Sequence, residues 1–132
     1  MRALILLLLL LLLQLFSTAS GAKPVKHVVM FTLRSEASKA QQKQIQTELL
    51  ELPKKIPEIQ EYELGVDLKL KGGQNHPAGK NRVICWSATF KNKDDYETYD
   101  SCVAHKEFLA LLKPLVEPGS RAAIQYELPE KK

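Results

Sequence analysis

Cysteine, aromatic residues and long apolar runs are all scarce in this chain of 132 residues, and each scarcity excludes something. Two cysteines cannot staple a scaffold of this size, so the fold must rest on an apolar core. The 45% apolar and 26% charged content is that of an ordinary single globular domain, not of a disordered or collagen-like chain. The longest apolar run, Ala3 to Leu13, falls short of the roughly 20 residues that span a bilayer. No G-x-S-x-G, no phosphate-binding glycine loop and no H-E-x-x-H occurs, which removes the enzyme classes built on those motifs. Three His and two Cys are not spaced as a ligand set, so no metal is expected. The net charge of +4 comes mostly from scattered lysines. A nucleic-acid binder gathers such charge on one face, and no nucleic-acid partner is expected.

The apolar run itself is informative. Met1-Arg2 gives a positive start, Ala3 to Leu13 an apolar centre, and Ser17 to Ala22 a small-residue exit. These are the three parts of a secretory signal peptide, so residues 1–22 are expected to be removed and the product exported, periplasmic or secreted. No cysteine lies near the exit to suggest a lipoprotein, and no stable membrane insertion is expected after cleavage. Residues 23–132 then form the domain.

Periodicity orders the domain. Val25 to Arg34 is rich in β-branched and aromatic residues and predicts a strand. Ser38 and Gln41 have the S-x-x-Q form of a capping box, and Ile45, Leu49, Leu52 and Ile56 follow at helical spacing, with Pro53 and Pro57 as limits. Tyr62, Leu64, Val66, Leu68 and Leu70 alternate with more polar residues, predicting a strand with one buried face. Lys71 to Asn81 reads as an exposed loop, its His76 included, and Arg82 to Phe90 as a third strand. Asn92 to Asp95 starts a second helix with an apolar side running from Tyr96 to Leu115, and Arg121 to Leu128 alternates as a fourth strand.

The order is β-α-β-β-α-β, predicting an α+β, ferredoxin-like fold: a four-stranded antiparallel sheet with both helices on one face. Strands one and three carry apolar residues on both faces, which marks them as the central pair. The face away from the helices would be left apolar, and a second copy of the chain packing sheet to sheet is the simplest cover, a homodimer.

Val25-Lys26-His27-Val28-Val29-Met30-Phe31, the Leu52-Pro53-Lys54-Lys55-Ile56 turn, and Tyr99-x5-His105-x2-Phe108 followed by Leu112-Lys113-Pro114 resemble the stress-responsive dimeric α/β-barrel (Dabb) family. The resemblance runs from Val25 to Leu128 and is that of an exported bacterial-type member. It implies a sheet-to-sheet dimer closing a barrel. Plant members of the family include stress-associated proteins and a polyketide cyclase closing an olivetolic-acid-type ring, while many bacterial members have no assigned activity. By that resemblance the cyclase's strand-one His corresponds to His27, its helix Tyr to Tyr99 and its second-helix His to His105. Where the family often shows Tyr-x2-His-Pro-x-His, Cys102 and Val103 replace the His-Pro pair.

The residues themselves allow that chemistry. A His can remove a proton next to a carbonyl, and a Tyr hydroxyl can hold the resulting enolate oxygen, with no cofactor. His27, Tyr99 and His105 are thus the candidate catalytic residues, with Val29, Phe31 and Phe108 as apolar walls for a small hydrophobic ligand. Two classes stay open: an exported, cofactor-independent cyclase-like or lyase-type enzyme, and a non-catalytic, stress-related ligand-binding or structural dimer. Cys85 and Cys102 are expected as free thiols rather than a disulfide, although export permits one.

Overall fold

The computed structural model describes residues 21–129, so the expected signal peptide lies almost wholly outside the described residues. The described chain runs β1 (Val25–Phe31), α1 (Lys39–Lys55), β2 (Glu61–Val66), β3 (Ile84–Phe90), α2 (Lys93–Ser101), α3 (Val103–Leu112), a short 3-10 turn (Lys113–Leu115) and β4 (Ala122–Glu127). The sheet is antiparallel with order β2-β3-β1-β4, so β1 and β3 are the central pair, as their two-sided apolar character predicts.

The core lies between the sheet and the helices. Phe31 of β1 and Ile84, Trp86, Ala88 and Phe90 of β3 meet Ile45, Leu49 and Leu52 of α1, with Phe108 and Leu112 of α3 beside them. The α1 start follows the capping box: the Ser38 hydroxyl accepts from Gln41 N at 3.1 Å, and the Gln41 side chain accepts from Ser38 N at 2.9 Å.

Three elements depart from the sequence reading. Pro53 does not limit α1 but lies inside its last turn. Proline has no N–H for the carbonyl four residues earlier, which is that of Leu49. The Trp86 indole takes that place, donating to Leu49 O at 3.3 Å, so the proline's missing bond becomes a tie between helix and sheet. The second helix is two helices, α2 and α3, broken at Cys102, which adopts extended backbone (φ −69°, ψ 158°). The alternation of strand two continues through Leu68 and Leu70, yet β2 ends at Val66, and the two leucines are 78% and 68% exposed. Val66 pairs with Ile84, where β3 begins, so the ladder runs out of partner; one further bond, Asp67 N to Val83 O at 2.7 Å, precedes Lys69 in the left-handed region (φ 55°).

Register also sets which way β4 faces. Val29 pairs with Ala123, His27 with Gln125 and Val25 with Glu127, so those three β4 residues face the helices. The apolar set Ala122, Ile124 and Tyr126 therefore points to the open face, beside Val28 and Met30 of β1. On that face β3 contributes only Cys85, Ser87 and Thr89, so the exposed apolar surface belongs to β1 and β4 rather than to the central pair.

The Pro53–Trp86 tie is testable by a double-mutant cycle. Trp86→Phe removes the donor to Leu49 O, and in a Pro53→Ala background the new N–H at position 53 supplies a replacement. The cost of Trp86→Phe, read from denaturant unfolding, is expected to be smaller in that background by about 1 kcal/mol, the net worth of one hydrogen bond. Equal costs in the two backgrounds contradict the tie.

Candidate functional site

His27 lies on the helix side of β1, and its neighbours across the ladder are Ala88 and Gln125. The Gln125 amide Nε2 donates to His27 Nδ1 at 2.8 Å. A ring nitrogen that accepts has no proton of its own, so the neutral His27 carries its proton on Nε2. Burial is the main force holding this ring neutral, and it brings the pKa from 6.5 down to about 4. The positive charges of Arg121 and, when protonated, His105 act in the same direction, and Asp100 opposes them.

Tyr99 and His105 stand on either side of the break at Cys102. In one continuous helix, residues six apart lie about 120° apart around the axis and could not face each other. The break swings α3 so that the two rings pack with centroids 4.3 Å apart. Local bonds hold the corner: the Ser101 hydroxyl turns back to donate to Glu97 O at 2.8 Å, and His105 Nδ1 reaches the Asp100 carbonyl at 2.9 Å. A carbonyl oxygen only accepts, so Nδ1 is the donor, and a neutral His105 keeps its lone pair on Nε2. The Asp100 carboxylate is 3.8 Å from the same Nδ1.

The Tyr99 ring stacks on Trp86 (6.2 Å, 8° between planes) and packs on Phe90 at 4.9 Å and His27 at 5.9 Å. Burial raises its hydroxyl pKa well above the usual 10, so it is a proton donor throughout the physiological range. Tyr96, one turn earlier on α2, lies 5.4 Å from His27.

The structure therefore brings His27, Tyr99 and His105 into one aromatic cluster on the helix side of the sheet. The cluster is packed: the three residues are 4%, 2% and 7% exposed. Phe31 and Phe108 are part of the hydrophobic core, with half-buried Val29 against it. A surface groove of about 540 Å³ adjoins the cluster, lined by Tyr96, Gln125 and the Lys93–Glu127 ion pair (3.0 Å); Gln125 and Tyr96 stand between it and His27. Cys85 is on the open face of the sheet and Cys102 at the helix break, and both are free thiols. His76 serves its own loop, its Nδ1 accepting from Ala78 N at 3.1 Å. Among the described residues, no three His, Cys, Asp or Glu side chains gather as metal ligands do, and no helix is long and apolar enough to cross a membrane.

Residues 25–128 match the family model of the stress responsive A/B barrel domain, Dabb. The chain belongs to the Dabb family. Solved structures similar to this Dabb chain include a dimeric ferredoxin-like protein of unknown function from Thermobifida fusca, 25% identical over 85% of this chain and 97% of that one, with a TM-score of 0.67. A dimeric ferredoxin-like protein from Bacteroides fragilis is 27% identical over 80% and 96%, TM-score 0.58. A hydroxynitrile lyase from Passiflora edulis shares the fold, with 22% identity over 85% and 99% and a TM-score of 0.71. No curated protein matches the chain.

Gln125 and Tyr96 are members of the Dabb cluster that sequence reasoning passed over. Gln125 is off-phase with the apolar residues of its strand, which reads as solvent-facing until the register with β1 is known.

The neutral, buried His27 gives the fold a pH dependence of known sign. Folded His27 takes a proton only near pH 4, whereas the unfolded ring takes it near 6.5. The unfolded chain binds more protons in that window, so stability falls as pH drops through it, by up to about 3 kcal/mol. Thermal melts of the chain and of His27→Gln should converge as pH falls from 7 to 4.5. Parallel melting curves across that range contradict the buried neutral ring.

Proposed function

We propose that this Dabb chain is an exported homodimer whose His27–Tyr99–His105 cluster carries out cofactor-independent proton transfer on a small hydrophobic carbonyl compound, in a cyclase-like or lyase-type reaction. The observation that carries the reading is the fixed pose of His105. With Nδ1 held by the Asp100 carbonyl, Nε2 is left as a base beside the Tyr99 ring. In this reading His105 removes a proton next to the substrate carbonyl, and the Tyr99 hydroxyl, kept protonated, donates to the oxygen on which the negative charge collects. His27, neutral with its proton on Nε2, is a second donor. The Passiflora edulis protein, a hydroxynitrile lyase, is compatible with such chemistry on this fold.

Homodimer formation is supported by the dimeric Thermobifida fusca and Bacteroides fragilis relatives and by Met30, Ile124 and Tyr126 standing exposed on the open sheet face. Export is supported by the leader-like residues 1–22.

A second reading, a non-catalytic ligand-binding or structural dimer, is favoured by the low exposure of the three site residues. The two separate in assays of α-proton exchange into deuterated water with a β-polyketo compound and of cyanide release from a cyanohydrin. In the enzyme reading His105→Ala lowers the exchange rate by roughly 10²–10⁴-fold, the contribution of a general base, with the dimer intact. Tyr99→Phe costs less. Exchange at the uncatalysed rate by the unmodified chain, or an unchanged rate in His105→Ala, favours the second reading.

Met30→Asp is expected to shift the chain from dimer to monomer in light scattering at micromolar concentration, because an unpaired charge would be buried between the sheets. A Met30→Asp dimer, or a monomer before substitution, overturns the assembly.

A further inference from the structure

The segment joining α3 to β4 builds a second concave surface that the proton-transfer reading does not use. A groove of about 450 Å³ opens there, in the size range of small-molecule sites. Leu109 and Leu112 of α3 with Val116 and Pro118 of the connecting segment give it apolar walls. Around them stand Arg34, Lys113 and Arg121. The acid in its lining, Glu117, faces Lys80 at 3.7 Å. Three cations therefore rim an apolar floor whose carboxylate already has a partner.

The groove is held in shape from beneath. Ser120, fully buried, accepts from Thr32 N at 3.1 Å and lies 2.8 Å from Glu117 O, clamping the connecting segment to the end of β1. Glu117 N donates to Thr32 O at 3.0 Å, and Arg34 N donates to Leu115 O at 2.7 Å. Two of the cations have structural work: Arg34 Nε donates to Val116 O at 3.3 Å, and Lys113 follows the C-terminal end of α3, where a positive charge offsets the exposed carbonyls. Arg121, exposed, forms no ion pair or side-chain hydrogen bond among the described residues, and its charge is felt at His27.

We propose that this groove binds an amphiphilic anion, a medium-length aliphatic carboxylate, with its chain along Leu109, Leu112 and Val116 and its head at Arg121. The guanidinium can take a carboxylate through two parallel N–H donors, which a lysine cannot. The inference does not rest on the proton-transfer reading: it concerns a different groove and is read by binding alone, although the Arg121 charge is also felt at His27.

The test is calorimetric titration of the full domain with decanoate, decanol and decyltrimethylammonium, below their aggregation concentrations. Decanoate is expected to bind once per chain and at least tenfold more tightly than the other two, with affinity falling as salt rises. Arg121→Gln, a change at an exposed position, should weaken decanoate at least tenfold and leave decanol unchanged. Leu109→Glu, which sets a charge in the floor, should weaken decanoate and decanol alike. Decanoate binding no tighter than decanol, or unaltered by Arg121→Gln, overturns the proposal. Binding reads this groove and α-proton exchange reads the cluster; Arg121→Gln also removes a positive charge that acts on His27, so exchange is judged from His105→Ala and not from this variant.

Discussion

The register of β1 between β3 and β4 is the constraint on which the rest depends. Side chains alternate along a strand with a period of two, so one pairing decides every orientation at once. With His27 opposite Ala88 and Gln125, the imidazole enters the layer beneath the helices, and the same choice turns Met30, Ile124 and Tyr126 outward. A slip of one residue would put Lys26 and Met30 in the core and send His27 to the open face. The candidate site and the candidate dimer surface are thus two consequences of a single alignment.

A second constraint acts on the site alone. Burying a polar ring is costly unless its nitrogens find partners. His27 finds Gln125, and His105 finds the Asp100 carbonyl, which the break in the helix leaves without an intrahelical donor. The two histidines are held in opposite senses: one accepts at Nδ1, the other donates there. That difference distinguishes a donor from a base within one aromatic cluster, and it is made by second partners rather than by the rings.

Much of the fold was legible because the signals were redundant. The apolar residues on both faces of β1 and the unbroken apolar helix-side face of β3 agree with their central position, and Ser38 with Gln41 marks the start of α1 without ambiguity. The departures share a cause, which is that a distant partner decided a local matter. Pro53 stays in a helix because Trp86, 33 residues later, supplies the bond it lacks. Leu68 and Leu70 alternate as a strand would, but β3 starts at Ile84 and offers them nothing to pair with. The α2–α3 break has no proline or glycine to announce it; it rests on the Ser101 and His105 bonds. Within the site, His27, Tyr99 and His105 were legible as residue types in a family-like order. Gln125 was not, since its importance arises only when β4 is laid against β1. Ser120 was equally silent in the sequence, although it clamps the segment that carries the groove.

Two histidines packed against Tyr99 are fixed in opposite neutral tautomers, one by Gln125 and one by the Asp100 carbonyl. Long-range ¹H–¹⁵N correlation spectra of the imidazole rings at pH 8 read this directly, because protonated and unprotonated ring nitrogens resonate far apart. The expected spectrum has the proton of His27 on Nε2 and that of His105 on Nδ1, with the His27 pattern lost in Gln125→Ala. Both rings in the same tautomer, or averaged patterns showing rings free to exchange, would contradict it.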